Sequence, residues 1–373
     1  MPITAYNVWL LALAVLFVVV NGLTQLSYAY GMGFKMKPTG LGFLVAAIMG
    51  AFVGVATPLS GQAAMLTISG KIRNMNERTA ALILAGAGMV ILGAFGLISR
   101  TVAFAGAPVV MGMMAGVGLM LAEVGAITMW KSNTRTTIIS IISALAIWGF
   151  TRNLVYTVAG SVLLASLDYL FIQRRRVDMS EMVGQTEHGR FWTRDYWRSD
   201  DWRLIRPQWN FASIIGAFSL LSLSIGVTSS FGTINSNISG VPANLDGLTF
   251  MTGLADLPSI LFGGAPLASI ISGTSAAPWP VLGAVLVMAV LGTLCVLGLV
   301  VKICKYIPYE SIAGFLVVIG LFSTFIPNVT NAFATGYTAQ AAIALAVTTF
   351  TKNPFFGLLA GIAVRYIGFF FGI

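Results

Sequence analysis

Long apolar runs separated by short polar breaks make up most of this 373-residue chain. A helix needs about 20 apolar residues to cross a hydrocarbon core about 30 Å thick, and most of the runs approach that length. Gly, Pro, Asn and charged residues divide the runs into fourteen predicted spans, seven on each side of a polar stretch. The predicted spans are 8–30, 40–57, 59–70, 78–99, 106–125, 135–150 and 153–172, then 210–230, 247–262, 265–275, 280–302, 308–326, 333–350 and 354–373.

The third span of each half is too short to cross a bilayer as a regular helix. Spans 59–70 and 265–275 are both introduced by a proline, Pro58 or Pro266, and the hexapeptides 56–61 and 264–269 both carry Pro-Leu at their centre, 208 residues apart. Short, proline-interrupted spans at matching positions of two halves indicate the substrate site of a transporter. Because seven is odd, the second half enters the membrane from the opposite side. The pattern therefore predicts an all-α, 7+7 inverted repeat.

Three regions follow from this pattern: a first repeat at 1–172, a connecting arm at 173–209 and a second repeat at 210–373. The arm holds eight of the 21 basic residues, six of the 12 acids and four of the eight tryptophans, which are Trp192, Trp197, Trp202 and Trp209. Indole rings among arginines favour the headgroup region of a membrane. We expect the arm to lie on the membrane surface, with a plain solvated linker as the alternative.

Several motifs resemble those of the nucleobase permeases, the superfamily of uracil/xanthine and adenine/guanine/hypoxanthine transporters. Residues 22–30 in the first span are similar to the adenine/guanine permease signature, and residues 229–234 resemble that branch's Asp-Thr-Thr-Gly-Thr-Leu motif. Ala255-Asp256, 266–275 and 307–321 resemble its ninth, tenth and twelfth segments. The resemblance implies the uracil-permease fold. In that fold a core domain of spans 1–4 and 8–11 moves against a gate domain of spans 5–7 and 12–14, broken segments occur at positions 3 and 10, and homodimers form through the gate.

Hydroxyl and amide side chains cluster around both breaks and predict a substrate site for a neutral, hydrogen-bonding ligand or a small anion. Serine and threonine also occur at close helix contacts in membranes, so packing is the alternative for any one of them. The predicted substrate-binding residues are Thr24, Gln25, Thr57, Ser60, Gln62, Ser229, Ser230, Thr233, Ser269, Ser272 and Thr274, with Asn235 and Ser275 beside them.

Carboxylates are missing where the resembled permeases carry them. Ser229 stands in the eighth span and Ser272 or Gly273 in the tenth, and a serine hydroxyl does not ionise at relevant pH. Asp256 lies just before the second break and could bind a coupling ion, H⁺ or Na⁺, or brace the tenth segment. Glu123 and Glu310 lie near span ends, where we expect them to be solvated.

Composition excludes several functions. Only 9% of residues are charged, against about 25% in soluble domains, and the formal charge is +9. His188 is the single histidine and Cys295 and Cys304 are the two cysteines, so neither a metal site nor an intramembrane enzyme is expected. The basic residues of the arm are mixed with acidic ones, and this composition does not favour nucleic-acid binding. The expected partners are the bilayer and a small-molecule substrate.

Basic residues are distributed unevenly between the loops. Eighteen of the 21 follow odd-numbered spans, whereas Arg100 and Arg152 follow even ones and Arg365 lies in the last span. The positive-inside rule places the odd loops in the cytoplasm and both termini outside. The resemblance implies termini inside. We expect a multi-pass protein of a bacterial or archaeal inner membrane.

Secondary transport of a nucleobase-like molecule, such as a purine, is the first functional hypothesis. The alternatives are a small-anion transporter or channel of the same fold, similar to sulfate or bicarbonate carriers, and a membrane scaffold subunit without transport activity. No Gly-x-x-x-x-Gly-Lys-Ser/Thr loop is present, so an ion gradient is the expected driving force and no cofactor is expected.

Overall fold

The computed structural model describes residues 4–61, 65–66, 69, 72, 74–128, 133–173, 202–304, 306, 308–334, 336 and 338–371, and these are mostly helical. Gln62, Trp192 and Trp197 lie outside the described residues, as does most of the predicted arm. The side chain of Thr24 also lies outside the description, although its backbone is helical.

The first half contains seven helices and one short strand in its described part. They are α1 (Ala5–Gly31), α2 (Met36–Val53), β1 (Leu59–Gly61), α3 (Met75–Ala94), α4 (Leu97–Ala105), α5 (Ala107–Glu123), α6 (Thr134–Thr151) and α7 (Leu154–Leu167). Helices α5 and α7 continue as π-helical turns, Val124–Thr128 and Asp168–Ile172.

The second half repeats this order. Its elements are α8 (Phe211–Ser239), α9 (Leu245–Leu261), β2 (Leu267–Ser269), α10 (Pro280–Val296), α11 (Val300–Cys304), α12 (Ala313–Val318), α13 (Ile326–Ala334), α14 (Thr338–Thr351) and α15 (Pro354–Phe371). Short 3₁₀ turns at Gly273–Ala276 and Tyr309–Ile312 follow β2 and precede α12, and a π-helical stretch, Ile319–Phe325, joins α12 to α13.

Asparagine side chains cap the first turns of α3, α6, α7, α8 and α9. The capping residues are Asn74, Asn133, Asn153, Asn210 and Asn244, and each accepts a hydrogen bond from a first-turn backbone N–H. A helix start leaves its first N–H groups without intrahelical partners, so a polar cap is needed where the chain turns at the membrane surface. These polar breaks are the ones that separate the apolar runs in the sequence.

Three predicted span boundaries were wrong. The span 78–99 is interrupted at Gly96, whose φ of 66° ends α3 and starts α4, and the span 280–302 ends at Val296, before Gly298 at φ 65°. The gap predicted at 327–332 is helical. There Asn328 Nδ2 donates to Thr324 O at 2.7 Å, so a polar residue that lowers local hydropathy is satisfied within the helix.

Eight helices of the described chain are long and apolar enough to cross a membrane, and three shorter apolar helices accompany them at 280–296, 338–351 and 354–367. Large apolar side chains such as Phe52, Phe150 and Phe350 are more than 80% exposed, as expected for a surface that faces lipid. The protein is a multi-pass integral membrane protein.

The helices form two groups, as the predicted core and gate require. In the core, α2 packs against α10 and α9, and α3 packs against α9 and α8. In the gate, α5 packs against α14 and the 319–325 stretch, and α6 packs against α7 and α12. Contacts of α1 with α7 and of α8 with α15 join the groups.

Candidate functional site

The two broken segments meet as a pair of short antiparallel strands. Leu59 lies opposite Ser269, Ser60 opposite Ala268 and Gly61 opposite Leu267, and Ile270 N donates to Pro58 O at 3.1 Å. Pro58 and Pro266 precede the strands, and proline holds the residue before it in an extended conformation. All six strand residues are buried, so the strand pair lies inside the helical core.

The strand register shows where the local two-fold axis passes. A shift of 208 residues makes Leu59 equivalent to Leu267, Ser60 to Ala268 and Gly61 to Ser269. Ser60 and Ala268 are therefore both equivalent in the repeat and opposite each other in the strand pair. The axis that relates the two halves passes between these residues.

Asn235 of α8 connects the two broken segments. Its Nδ2 donates to Ile270 O at 2.8 Å and to Thr57 Oγ1 at 3.2 Å. Its Oδ1 accepts from Ser275 Oγ at 2.8 Å and from Ser272 N at 3.1 Å. The side chain is completely buried. An amide that donates and accepts in this way holds both segments at fixed positions against α8.

The hydroxyls that follow β2 bond mainly to one another and to the backbone. Ser272 Oγ and Thr274 Oγ1 lie 2.6 Å apart, and Ser272 Oγ accepts from Thr274 N at 3.2 Å. Ser275 Oγ donates to Ala56 O at 3.2 Å, which adds a second bridge to the first broken segment. Of the predicted substrate-binding residues, the structure brings Thr57, Ser272 and Thr274 into one buried network.

Ser60 and Ser269 differ from these hydroxyls. Both are 0% exposed, and within the described residues neither Oγ has a hydrogen-bond partner. Gly22 of α1 lies beside Ser60, because a Cβ built at Gly22 would lie 3.2 Å from Ser60 Oγ. A buried hydroxyl without a partner loses hydration without compensation. The two hydroxyls lie on opposite faces of the strand pair, because side chains alternate along a strand and Ser60 is paired with Ala268. Ser60, on the face towards Gly22 of α1, is therefore the hydroxyl at the repeat axis that could bind a solute.

Ser229, Ser230 and Thr233 form hydrogen bonds within α8. Their hydroxyls donate to Ile225 O, Gly226 O and Ser229 O at 2.7, 2.6 and 2.7 Å. This pattern is typical of hydroxyls that pack at helix contacts in membranes, and it favours the packing alternative for these residues. Gln25 Nε2 contacts Asn21 Oδ1 at 3.5 Å one turn earlier in α1. The backbone of Gln25 lies beside Gly61.

Asp256 braces the second strand. Its Oδ1 accepts a hydrogen bond of 2.6 Å from Leu267 N, the first residue of β2, and the side chain is 5% exposed. Two polar residues that the sequence analysis missed act beside it. Thr39 Oγ1 accepts from Ala265 N and Ser259 Oγ donates to Ala265 O, each at 2.8 Å. In the sequence, each is a single hydroxyl residue within an apolar helix. Residues that only pack against neighbouring helices have the same appearance.

Charged residues at the span ends are mostly paired. Glu310 is 8% exposed, so the expectation that it is solvated was wrong; the 3₁₀ turn that carries it packs against α6 and α7. Glu123 forms an ion pair with Lys352, and Asp168 with Arg135 at 2.8 Å. Arg365 Nη1 donates to Phe104 O and Ala105 O at the end of α4.

A small cleft, with room for about one water molecule (about 10 Å³), lies near the broken segments on the side of the even-numbered loops. It is bounded by the ends of α2 and α8 and by the 241–244 loop, and Thr57 is part of its wall. Because Thr57 also bonds to Asn235, the cleft ends at the network that joins the broken segments.

The fold is shared with a solved membrane transporter. No protein-family model and no curated protein matches the sequence. The transmembrane domain of a cyanobacterium bicarbonate transporter, BicA, has a similar structure, with a TM-score of 0.56 over 96% of this chain and 98% of that chain at 15% identity. At this identity the likeness shows the fold. It confirms the predicted architecture of two inverted repeats.

Proposed function

We propose that this protein is a secondary transporter in which a core domain moves against a gate domain and carries a small solute bound at the strand pair. The observation that carries the proposal is the placement of Ser60, a buried hydroxyl without a described partner, at the local two-fold axis. The fold shared with the transmembrane domain of a bicarbonate transporter supports the same conclusion.

The inverted repeat supports alternating access. Two halves related by an axis in the membrane plane can exchange conformations, so that a site on the axis opens first to one side and then to the other. The strand pair lies on that axis and is fixed to α8 and α9 by Asn235 and Asp256. We therefore propose that both broken segments move as one unit with the core.

A small oxyanion is the first substrate candidate. In the described part of the site, the polar side chains next to the strands are hydroxyls and amides, and the Asp256 carboxylate is engaged by Leu267 N. Hydroxyl donors without a neighbouring free carboxylate suit a solute that accepts hydrogen bonds and carries negative charge. The bicarbonate transporter of similar fold agrees with this class.

A neutral nucleobase is the second candidate. The amides of Asn21 and Gln25 lie on α1, whose backbone borders Gly61, and an amide both donates and accepts. A nucleobase ring edge presents donors and acceptors side by side, which such groups can match. The similarity of residues 22–30 and 229–234 to nucleobase permease motifs supports this candidate.

Uptake into proteoliposomes tests the proposal and separates the candidates. We expect labelled bicarbonate or sulfate to be taken up faster than uracil or guanine, with Na⁺ and H⁺ gradients applied in separate arms. Ser60→Ala should lower uptake about five-fold, since one hydrogen bond of about 1 kcal/mol is lost. Ser230→Ala is the matched control, because that hydroxyl bonds to Gly226 O.

The uptake results distinguish the three functional hypotheses. Faster uptake of a nucleobase would favour the second candidate, and no uptake of any solute by folded protein would favour a scaffold subunit. Removal of an unpartnered buried hydroxyl does not destabilise a protein through a lost hydrogen bond, so reduced uptake by Ser60→Ala would reflect the site rather than the fold.

A further inference from the structure

The segment from Trp202 to Phe211 is fixed to the ends of two core helices. Ile205 N donates to Leu261 O at 2.9 Å, at the end of α9, and Gln208 N donates to Asn76 O at 3.1 Å, in the first turn of α3. The side chain of Gln208 also accepts from Asn74 Nδ2 at 3.0 Å. The segment therefore has a defined position across the core, on the side of the odd-numbered loops.

Two kinds of side chain point in two directions. Trp202 packs edge-on against Phe262 at 6.0 Å between ring centroids, and Ile205 lies against Gly263. Arg203 and Arg206 are exposed, as are Leu204 at 57% and Trp209 at 56%. Phe211, where α8 begins, is 78% exposed. One side of the segment thus holds it to the core, and the other presents two cations with large apolar groups.

We propose that this outward side binds the headgroups of anionic phospholipids in the adjoining leaflet. Large apolar and indole side chains settle at the boundary between headgroups and acyl chains, and guanidinium groups beside them reach the lipid phosphates. Between Trp202 and Phe211 there are two arginines and no acid, and neither guanidinium has an ion-pair partner within the described residues. Charge complementarity therefore selects anionic over zwitterionic lipid.

Lipid bound to the segment can affect the core, because the segment is hydrogen-bonded to the ends of core helices. Leu261 and Phe262 lead into the loop before β2, and Asn76 lies at the start of α3, after the first broken segment. A bound headgroup would hold the segment against these ends. We therefore expect anionic lipid to stabilise the folded protein, because a ligand that binds only the folded state raises its stability.

Thermal unfolding in nanodiscs of defined composition tests this proposal. We expect nanodiscs containing phosphatidylglycerol to raise the melting temperature of the full chain above its value in phosphatidylcholine alone. Each arginine near an anionic surface contributes about five-fold in affinity, so Arg203→Gln/Arg206→Gln should weaken phosphatidylglycerol binding by about thirty-fold and remove most of the rise. Arg100→Gln is the matched control, because Arg100 is equally exposed but lies at the other end of the core.

Further arms keep the test decisive. Arg203→Lys/Arg206→Lys should retain most of the rise in melting temperature. Added salt should reduce the rise in the unmodified protein, and this measurement remains available if the glutamine variant does not fold. An equal rise in the glutamine variant would overturn the proposal, and so would the same melting temperature of the unmodified protein in both kinds of nanodisc. An equal rise with glycerol phosphate in solution would show a soluble-anion site and would also overturn it.

Discussion

Ser60 and Ala268 lie opposite each other in the strand pair and are also equivalent positions of the two repeats. Gly118 and Gly320 contact each other reciprocally in the gate. A Cβ built at Gly118 would lie 2.6 Å from Gly320 O, and one built at Gly320 would lie 2.5 Å from Gly118 O. Each domain therefore contains a close contact between the two halves of the chain, as the proposed movement of core against gate requires.

The gate crossing should not tolerate a side chain. Gly118→Ala or Gly320→Ala places a methyl group against a backbone carbonyl, so α5 and the 319–325 stretch must separate, at a cost of about 1–3 kcal/mol. Gly149→Ala is the control, because nothing lies within 4 Å of a Cβ there, and it should be neutral or stabilise the protein by about 0.5–1 kcal/mol. The melting temperatures of the three variants test this prediction. Equal values for all three would contradict the close contact between Gly118 and Gly320.

Removal of the Asn235 amide should be the most damaging single change near the site. Asn235→Ala leaves Ser272 N–H, Ile270 O and two hydroxyls without this partner in a buried setting. An unsatisfied buried group costs about 1–3 kcal/mol, so we expect a loss of at least about 3 kcal/mol. Ser230→Ala should cost less than about 1 kcal/mol, because its hydroxyl donates to a carbonyl of its own helix. A similar melting temperature for both variants would contradict the bridging role.

Asp256 can be tested by a pair of substitutions. Asparagine keeps an oxygen that accepts from Leu267 N, whereas alanine removes it. If bracing is the role of Asp256, Asp256→Asn keeps the melting temperature close to that of the unmodified protein and Asp256→Ala lowers stability by about 1–3 kcal/mol. Uptake by Asp256→Asn under Na⁺ and H⁺ gradients is the second readout. Normal stability with loss of gradient-driven uptake would instead make Asp256 the site of the coupling ion.

Membrane orientation is open to a direct test. The uneven distribution of basic residues places the loops after odd spans in the cytoplasm, and an even number of spans puts both termini on the same side. We expect tags at the N- and C-termini to be accessible from outside intact cells, and a cysteine introduced at Arg203 to be protected. Protected tags would support the opposite orientation, which the resemblance to nucleobase permeases implies.

The broken segments could be predicted because the residues that form them are local signals. Pro58 and Pro266, each before a short apolar run and 208 residues apart, predicted the two broken segments and the inverted repeat, whereas the short strands within an all-α prediction were not foreseen. The boundaries at Gly96 and Gly298 were missed because a glycine within an apolar run gives no hydropathy minimum, although its positive φ ends the helix.

Individual roles at the site were harder to predict, since they depend on tertiary contacts. Ser229 and Ser60 are both serines near a break, yet one hydroxyl bonds within its helix and the other has no described partner. Nothing in the sequence separates them. The bridging position of Asn235 likewise depends on partners 35 to 178 residues away along the chain.

Ligand-induced stabilisation tests the central claim most directly, namely that a solute binds at the strand pair. Melting temperatures of the purified protein would be measured with bicarbonate, sulfate, uracil and guanine, and repeated for Ser60→Ala and Ser230→Ala. We predict that one solute, and first an oxyanion, stabilises the unmodified protein and Ser230→Ala, and that Ser60→Ala needs about five-fold more of it for the same rise. The same concentration dependence in all three proteins would contradict a site at Ser60.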